Sequence, residues 1–66
     1  MKFAERLKQL MHDANVSQDT LAKSIGYSQR AVSKWLNGQA VPTADAVYKC
    51  ATYFDVSSDY LLGLED

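Results

Sequence analysis

Apolar residues recur at intervals of three and four along most of the chain, which is the spacing of one face of an α-helix. The first such segment predicts a helix over residues 2–14, with apolar positions at Phe3, Leu7, Leu10 and Met11. Further amphipathic segments follow, and none shows the strict alternation of a strand. The pattern predicts an all-α fold of five short helices around one core.

Hydroxyl side chains mark where the other four helices begin. A serine or threonine at an N-cap accepts a hydrogen bond from a first-turn amide that would otherwise be unpaired. The predicted caps are Ser17, Ser28, Thr43 and Ser57. The corresponding helix ends are predicted at Gly26, at Asn37 with Gly38, at Phe54 and at Gly63.

The connection between the second and third helices is very short. Gly26 can take a positive φ without steric cost, so the chain can turn sharply there. Ala22 lies where the two helices would cross, and its methyl group lets them meet at a steep angle. These features predict a helix-turn-helix over residues 17–38.

The third helix has two faces of opposite character. Val32, Trp35 and Leu36 are spaced as a buried side, which makes Trp35 a core residue rather than a stacking platform for an unpaired base. A polar helix face is often only a solvated surface. The opposite face here carries two positive charges, no acid, and side chains that pair with base edges and phosphates, which favours a DNA contact. This polar strip consists of Gln29, Arg30, Ser33, Lys34 and Asn37.

Over nearly its whole length the chain resembles the phage-repressor and Cro class of helix-turn-helix regulators. The match rests on five signature positions, Gln18, Ala22, Gly26, Val32 and Trp35. The run SKWLNG resembles the usual end of the recognition helix in that class, and DVSSDYLLG resembles its usual final helix. The resemblance implies one lambda-repressor-like DNA-binding domain over residues 1–66, with the helix-turn-helix as its second and third helices.

In that class the start of the third helix enters the major groove, and the resemblance places Gln29 and Arg30 there. The Arg30 guanidinium matches O6 and N7 of guanine, and the Gln29 amide matches N6 and N7 of adenine. Ser33 and Lys34, one turn on, are expected to reach bases or the flanking phosphates. The residues expected to contact the DNA backbone are Gln18, Tyr27, Ser28, Asn37, Gly38, Gln39 and Thr43.

Some of these backbone residues have a specific expected role. Gln18 resembles the family glutamine that donates to a phosphate and braces the first polar residue of the recognition helix. Gly38 and Gln39 are expected to contribute their backbone amides, and Thr43 its amide and hydroxyl at a helix N-terminus. Tyr27 is equally compatible with packing on its neighbours, and both interpretations stay open.

One departure from the class concerns the interior. Many members carry an arginine in helix one and a glutamate in helix three that pair with each other, and the matching positions here are Met11 and Leu36. Losing one partner alone would leave a buried charge, whereas replacing both by apolar residues is often neutral or stabilising. The double change predicts an apolar packing contact.

The net charge of −1 argues mildly against DNA, because DNA-binding domains are usually basic. The distribution answers most of that objection. Residues 1–16 carry three bases against two acids, residues 17–43 carry three against one, and residues 44–66 carry one against five. The acids collect in the part of the chain that the docking geometry of the class places away from the duplex, while the recognition helix stays positive.

A single cysteine and a single histidine limit the chemistry. Cys50 cannot form an internal disulfide, and with only His12 beside it no metal cluster is expected. No acid is arranged to orient either residue, so neither catalysis nor a cofactor is expected. Cys50 shares a helical face with Ala46, Val47 and Phe54, which predicts a small buried side chain.

The expected partners are double-stranded DNA and a second copy of the chain. No apolar run approaches the roughly 20 residues that span a bilayer. The opening run MKFAERLKQL is charged and amphipathic, unlike a signal peptide, so a cytoplasmic location is expected. Acids near the expected dimer patch oppose pairing, so the free protein is expected to be largely monomeric and to pair on DNA. That patch comprises Ser57, Ser58, Tyr60 and Leu64.

The function expected from this combination is repression, or less often activation, of a nearby promoter through a two-fold symmetric operator. One alternative of the same fold is an antitoxin or immunity-type protein that binds DNA and also masks a protein partner. A neighbouring toxin gene would indicate it. A pure protein-interaction module is a different alternative, and it would not need the polar strip.

Overall fold

The computed structural model describes residues 1–66 as five helices and no strand. The predicted all-α fold is therefore confirmed. In the packing, α1 lies against α3 and α5, while α2 lies against α3 and α4, and α4 also contacts α5. The helices are α1 (Phe3–Ala14), α2 (Gln18–Ile25), α3 (Gln29–Leu36), α4 (Ala44–Phe54) and α5 (Ser58–Leu62).

All four predicted hydroxyl caps form as expected. Each side-chain oxygen accepts a hydrogen bond of 3.0 to 3.1 Å from the amide three residues later. Replacing such a cap with alanine typically costs about 1 kcal/mol. The donors are the amides of Thr20, Ala31, Ala46 and Tyr60.

Left-handed residues end four of the five helices. Gly26 has φ +76°, and the space around it would admit a Cβ, so its backbone conformation and not crowding favours glycine. Asn15 and Asp55 end α1 and α4 with φ near +55°. Their short polar side chains make this conformation less costly than it would be for most residues. The fourth left-handed end is Gly63.

The interior is one cluster of 14 buried apolar side chains, and no polar side chain is buried with them. Trp35 is 5% exposed, which confirms that it is a core residue. Cys50 is fully buried, as predicted, and burial raises the pKa of its thiol to about 11. The thiol is therefore protonated at neutral pH. None of the helices has the length and apolar character that crossing a membrane requires.

The first helix is tied to the last one by Arg6. Its guanidinium donates to the backbone oxygen of Tyr60 at 2.6 Å and also to the backbone oxygen of Glu65. The same group lies 4.4 Å from the centroid of the Tyr60 ring, within the range of a cation–π interaction. The Ser57 hydroxyl donates to the Glu65 carboxylate. The residues after α5 are thus fastened to α1.

Met11 and Leu36 both lie in the core cluster, with exposures of 7% and 6%. Because α1 packs against α3, a direct contact between Met11 and Leu36 is compatible with this arrangement and stays a prediction. The apolar pair is accommodated without any buried polar atom left unsatisfied.

We predict that Leu36→Glu lowers the free energy of unfolding by about 3 to 5 kcal/mol, because it buries a charge that has no partner. Adding Met11→Arg should recover part of this loss. Urea denaturation of the two single variants and the double variant measures the coupling. Strictly additive effects would show that the two side chains do not meet.

Candidate nucleic-acid interface

The recognition helix α3 is fixed from its inner side. The Trp35 ring packs edge-on against Phe3 of α1, with centroids 6.1 Å apart, and against Tyr27 of the preceding turn, with centroids 5.2 Å apart. Val32 is fully buried and Leu36 nearly so. The outer side of α3 is therefore presented in one orientation.

The polar strip lies on that outer side, but it is not uniformly exposed. Gln29, Arg30 and Asn37 are exposed, whereas Ser33 and Lys34 are half-buried. The helical spacing predicted an exposed face for all five residues, and Ser33 and Lys34 are less exposed than this prediction. The strip contains no acid, so its positive charges face solvent without a neutralising partner on the helix. Both strip residues of the first turn, Gln29 and Arg30, are exposed, and the resemblance implies that these residues contact the bases.

The loop after α3 turns back onto the helix, because the amides of Gln39 and Ala40 both donate to the Lys34 carbonyl. The Gly38 amide donates to the Trp35 carbonyl at 3.2 Å. The two amides predicted as phosphate donors, those of Gly38 and Gln39, are thus both used within the turn. The exposed side chains of Asn37 and Gln39 remain available for a contact with the DNA backbone.

Two other predicted backbone residues lie at helix starts. Gln18 is the first residue of α2 and is half-buried, and its side chain makes no hydrogen bond to Gln29. The bracing contact implied by the resemblance is therefore absent from this structure. Ser28 is exposed at the start of α3, where its hydroxyl accepts from the Ala31 amide at 3.0 Å. Both residues remain predicted backbone contacts.

Tyr27 forms the centre of a polar cluster beside the recognition helix. Its hydroxyl donates to Asp45 Oδ2 at 2.7 Å and lies 3.2 Å from Thr43 Oγ1. Lys49 Nζ lies 3.3 Å from Asp45 Oδ2 and 5.7 Å from the centroid of the Tyr27 ring. Tyr27 therefore both packs on its neighbours and carries a polar group. The cluster joins the helix-turn-helix to the start of α4.

The carboxylate of Asp45 is favoured in its charged form. The hydrogen bond from the Tyr27 hydroxyl is the largest cause and Lys49 the next, and together they lower the pKa of Asp45 below its ordinary value. An ionised carboxylate is an acceptor only. The Tyr27 hydroxyl hydrogen is therefore directed to Asp45 at neutral pH.

Neither Lys49 nor Asp45 was expected from the sequence to be a site residue. Their spacing of four residues on a helix is visible in the sequence and indicates an ion pair. The link to Tyr27 has no such signal, because 18 residues separate Tyr27 from Asp45. Arg6 was likewise missed, since its partner Tyr60 lies 54 residues away.

The four residues predicted to form a dimer patch share the C-terminal helix and the residues after it. Leu64 is 74% exposed, whereas Ser58 and Tyr60 are half-buried. The Ser57 hydroxyl caps α5. Ser58 also lines an open cleft of about 420 Å³ between the start of α4 and α5, and the other lining residues are apolar, namely Pro42, Ala44, Val47 and Leu62.

A family model described as helix-turn-helix matches residues 7–61, which include every helix but the first turn of α1 and the end of α5. The chain belongs to this family. The match confirms the resemblance to the phage-repressor class and the assignment of α2 and α3. It also bears out the prediction of a DNA-binding helix-turn-helix domain of the kind found in transcription regulators.

Several similar proteins are named as transcription regulators. The chain is 35% identical over 66 residues to the HTH-type transcriptional activator BcrR of Enterococcus faecalis, covering 100% of this chain and 32% of that protein. It is 33% identical over 63 residues to the cryptic phage CTXphi transcriptional repressor RstR of Vibrio cholerae, covering 96% of this chain and 56% of that protein. The HTH-type regulator YobD of Bacillus subtilis is 31% identical over 64 residues, with 57% of it covered. The chain thus spans from a third to somewhat over half of these relatives.

If Arg30 makes the expected bidentate contact to guanine, we predict that Arg30→Ala costs about 1 to 3 kcal/mol in binding to the preferred duplex. The preference for one base pair of each half-site should relax, and the preferences at the other positions should not change. Binding to a panel of single base-pair variants measures this. A loss of equal size on every duplex would instead make Arg30 a backbone contact.

Lys34→Ala is the matched comparison, since it removes the same charge from the same helix one turn later. If Lys34 contacts phosphate, binding should weaken to a similar degree on all duplexes. The slope of log affinity against log salt should then flatten by about one unit. An unchanged slope would remove Lys34 from the phosphate contacts.

Proposed function

We propose that the protein represses transcription by binding a two-fold symmetric operator as a homodimer, with α3 of each copy in the major groove. The observation that carries this proposal is the first turn of α3. Gln29 and Arg30 are exposed there, on a helix whose opposite side is fixed by Trp35. Side chains on a rigid helix can be placed on base edges with little loss of conformational freedom.

In this binding mode Gln29 and Arg30 read bases, and Ser33 and Lys34 contact bases or flanking phosphates one turn on. The N-terminus of α2, the turn at Tyr27 and the loop around Asn37 flank α3 and contact the DNA backbone. Residues 1–66 act as one unit, since a single apolar cluster unites all five helices.

Repression is favoured over activation by the resemblance to the phage-repressor class and by the likeness to RstR. A protein bound across a promoter excludes the polymerase without any further surface. The likeness to BcrR, which is named as an activator, instead supports activation of transcription. We therefore predict that a reporter promoter carrying an operator selected from a random duplex pool is expressed less when the protein is present, and that Arg30→Ala restores expression. Increased expression with the intact protein would establish activation instead.

Dimerisation is proposed through the C-terminal patch, because two copies are needed to read enough base pairs. Leu64 is the exposed apolar side chain of that patch, and Ser58 joins it to the cleft between α4 and α5. The patch is small, and acids surround it at Asp55, Asp59, Glu65 and Asp66. Their mutual repulsion keeps the free protein largely monomeric, so pairing occurs on DNA.

A two-fold contact places the recognition helices in successive major grooves, with half-sites about 10 to 10.5 base pairs apart. We predict that inserting five base pairs between the half-sites, which turns the second one to the far side of the duplex, abolishes cooperative binding. Gel shifts against a series of spacings measure this. Restoring a full helical turn should restore part of the cooperativity.

An affinity that is unchanged by the insertion of five base pairs would rule out a dimer of this geometry. Leu64→Asp gives an independent check, since it adds a charge to the proposed contact without touching α3. It should reduce binding to the two-half-site operator and leave binding to an isolated half-site unchanged.

A further inference from the structure

The cluster of Tyr27, Asp45 and Lys49 contains the only acid whose side chain forms a hydrogen bond with the turn leading into the recognition helix. Tyr27 directly precedes Ser28, the N-cap of α3, and its hydroxyl also lies beside Thr43. In the proposed binding mode this part of the surface faces the DNA backbone. A carboxylate there opposes a phosphate by charge, and it also occupies groups that a phosphate could use.

Two hydrogen-bond donors of the cluster, the Tyr27 hydroxyl and the Lys49 ammonium, are engaged by Asp45. Tyr27 has one hydroxyl hydrogen, and it is directed to Asp45 Oδ2 at 2.7 Å. The Lys49 ammonium is 3.3 Å from the same oxygen and 5.7 Å from the centroid of the Tyr27 ring. A phosphate oxygen accepts from a hydroxyl and from an ammonium in the same way as a carboxylate oxygen. Asp45 thus takes the single hydroxyl hydrogen of Tyr27 and neutralises the charge of Lys49, whose ammonium keeps further hydrogens for another acceptor.

We propose that Asp45 limits the affinity of the protein for DNA by engaging Tyr27 and Lys49 in place of a backbone phosphate. The inference rests on the proposed binding mode, and it adds Lys49 to the residues that can contact DNA. Lys49 is the single base among residues 44–66, and the cluster places it beside the turn between α2 and α3.

The ion pair between Asp45 and Lys49 is open to competition. Their side chains are 57% and 45% exposed, and exposed pairs spaced four residues apart on a helix are weak. Lys49 has a flexible four-carbon stem, so its ammonium can move from the carboxylate to a nearby phosphate. The negative charge of Asp45 opposes this exchange, because the carboxylate repels the approaching phosphate.

The test is Asp45→Asn, which keeps an oxygen that can accept from Tyr27 and removes the charge. Binding to a duplex with one half-site should tighten roughly threefold to tenfold at 0.1 M salt, because Lys49 is released to a phosphate. The slope of log affinity against log salt should steepen by about 0.9. Because phosphate contacts carry no sequence information, an unrelated duplex of the same length should show a similar gain.

Asp55→Asn is the matched control. Asp55 is at the other end of α4, about 15 Å from Asp45 along the helix axis. It has a left-handed backbone conformation that asparagine tolerates, and its side chain makes no ion pair or hydrogen bond. This variant removes the same unit of charge from the same helix, so it measures the effect of net charge alone. The single half-site excludes any effect on dimerisation.

Lys49→Ala separates the two parts of the proposal. Alone, it should change the salt slope little, because Asp45 neutralises Lys49 in the intact protein. Combined with Asp45→Asn, it should remove most of the gain in affinity and in slope. Circular dichroism at the assay temperature verifies that each variant is folded.

Asp45→Ala distinguishes this role from simple positioning of Tyr27. If Asp45 restrains DNA binding, the alanine variant binds at least as tightly as Asp45→Asn. Weaker binding by the alanine variant, a gain in Asp45→Asn no larger than in Asp55→Asn, or a gain that persists without Lys49 would each overturn the inference. Those results leave the base preference of Arg30 intact, whereas failure of the binding mode itself would remove that preference in the unmodified protein.

Discussion

The packing of Trp35 determines how the recognition helix is presented. Its indole meets Phe3 of α1 and Tyr27 of the turn in edge-on contacts, each worth about 0.5 to 1.5 kcal/mol beyond the burial itself. Tyr27 continues the connection through its hydroxyl to Asp45 of α4. Three separate parts of the chain therefore fix one side of an eight-residue helix. A helix of this length is not stable in isolation, so α3 depends on these contacts.

Local features made most of the fold predictable from the sequence. A hydroxyl cap acts on an amide three residues away, and a glycine at a helix end acts through its own φ. Ser17, Ser28 and Gly26 could therefore be identified without knowing what packs against them. The periodicity of α3 was equally informative, because one helix turn carries both its buried and its outer residues. These signals also identified the polar strip.

Contacts between distant parts of the chain were not predictable in this way. The partners of Arg6 and Tyr27 are 54 and 18 residues away, and no periodic pattern joins them. The loop after α3 folds back onto the Lys34 carbonyl, which is a property of backbone hydrogen bonds rather than of residue type. Helix faces are readable from a sequence, whereas the depth of each residue within a face depends on the neighbouring segments.

The distribution of charge bears on how such a domain separates one DNA site from another. Non-specific binding is driven by phosphate neutralisation, and specific sites compete with a large excess of other sequences. A strongly basic domain would bind most duplexes well. Here the net charge is −1, and residues 44–66 carry one base against five acids. In the proposed binding mode this composition keeps phosphate affinity low, so selectivity has to come from the base-edge contacts of Gln29 and Arg30 and from the pairing of two copies.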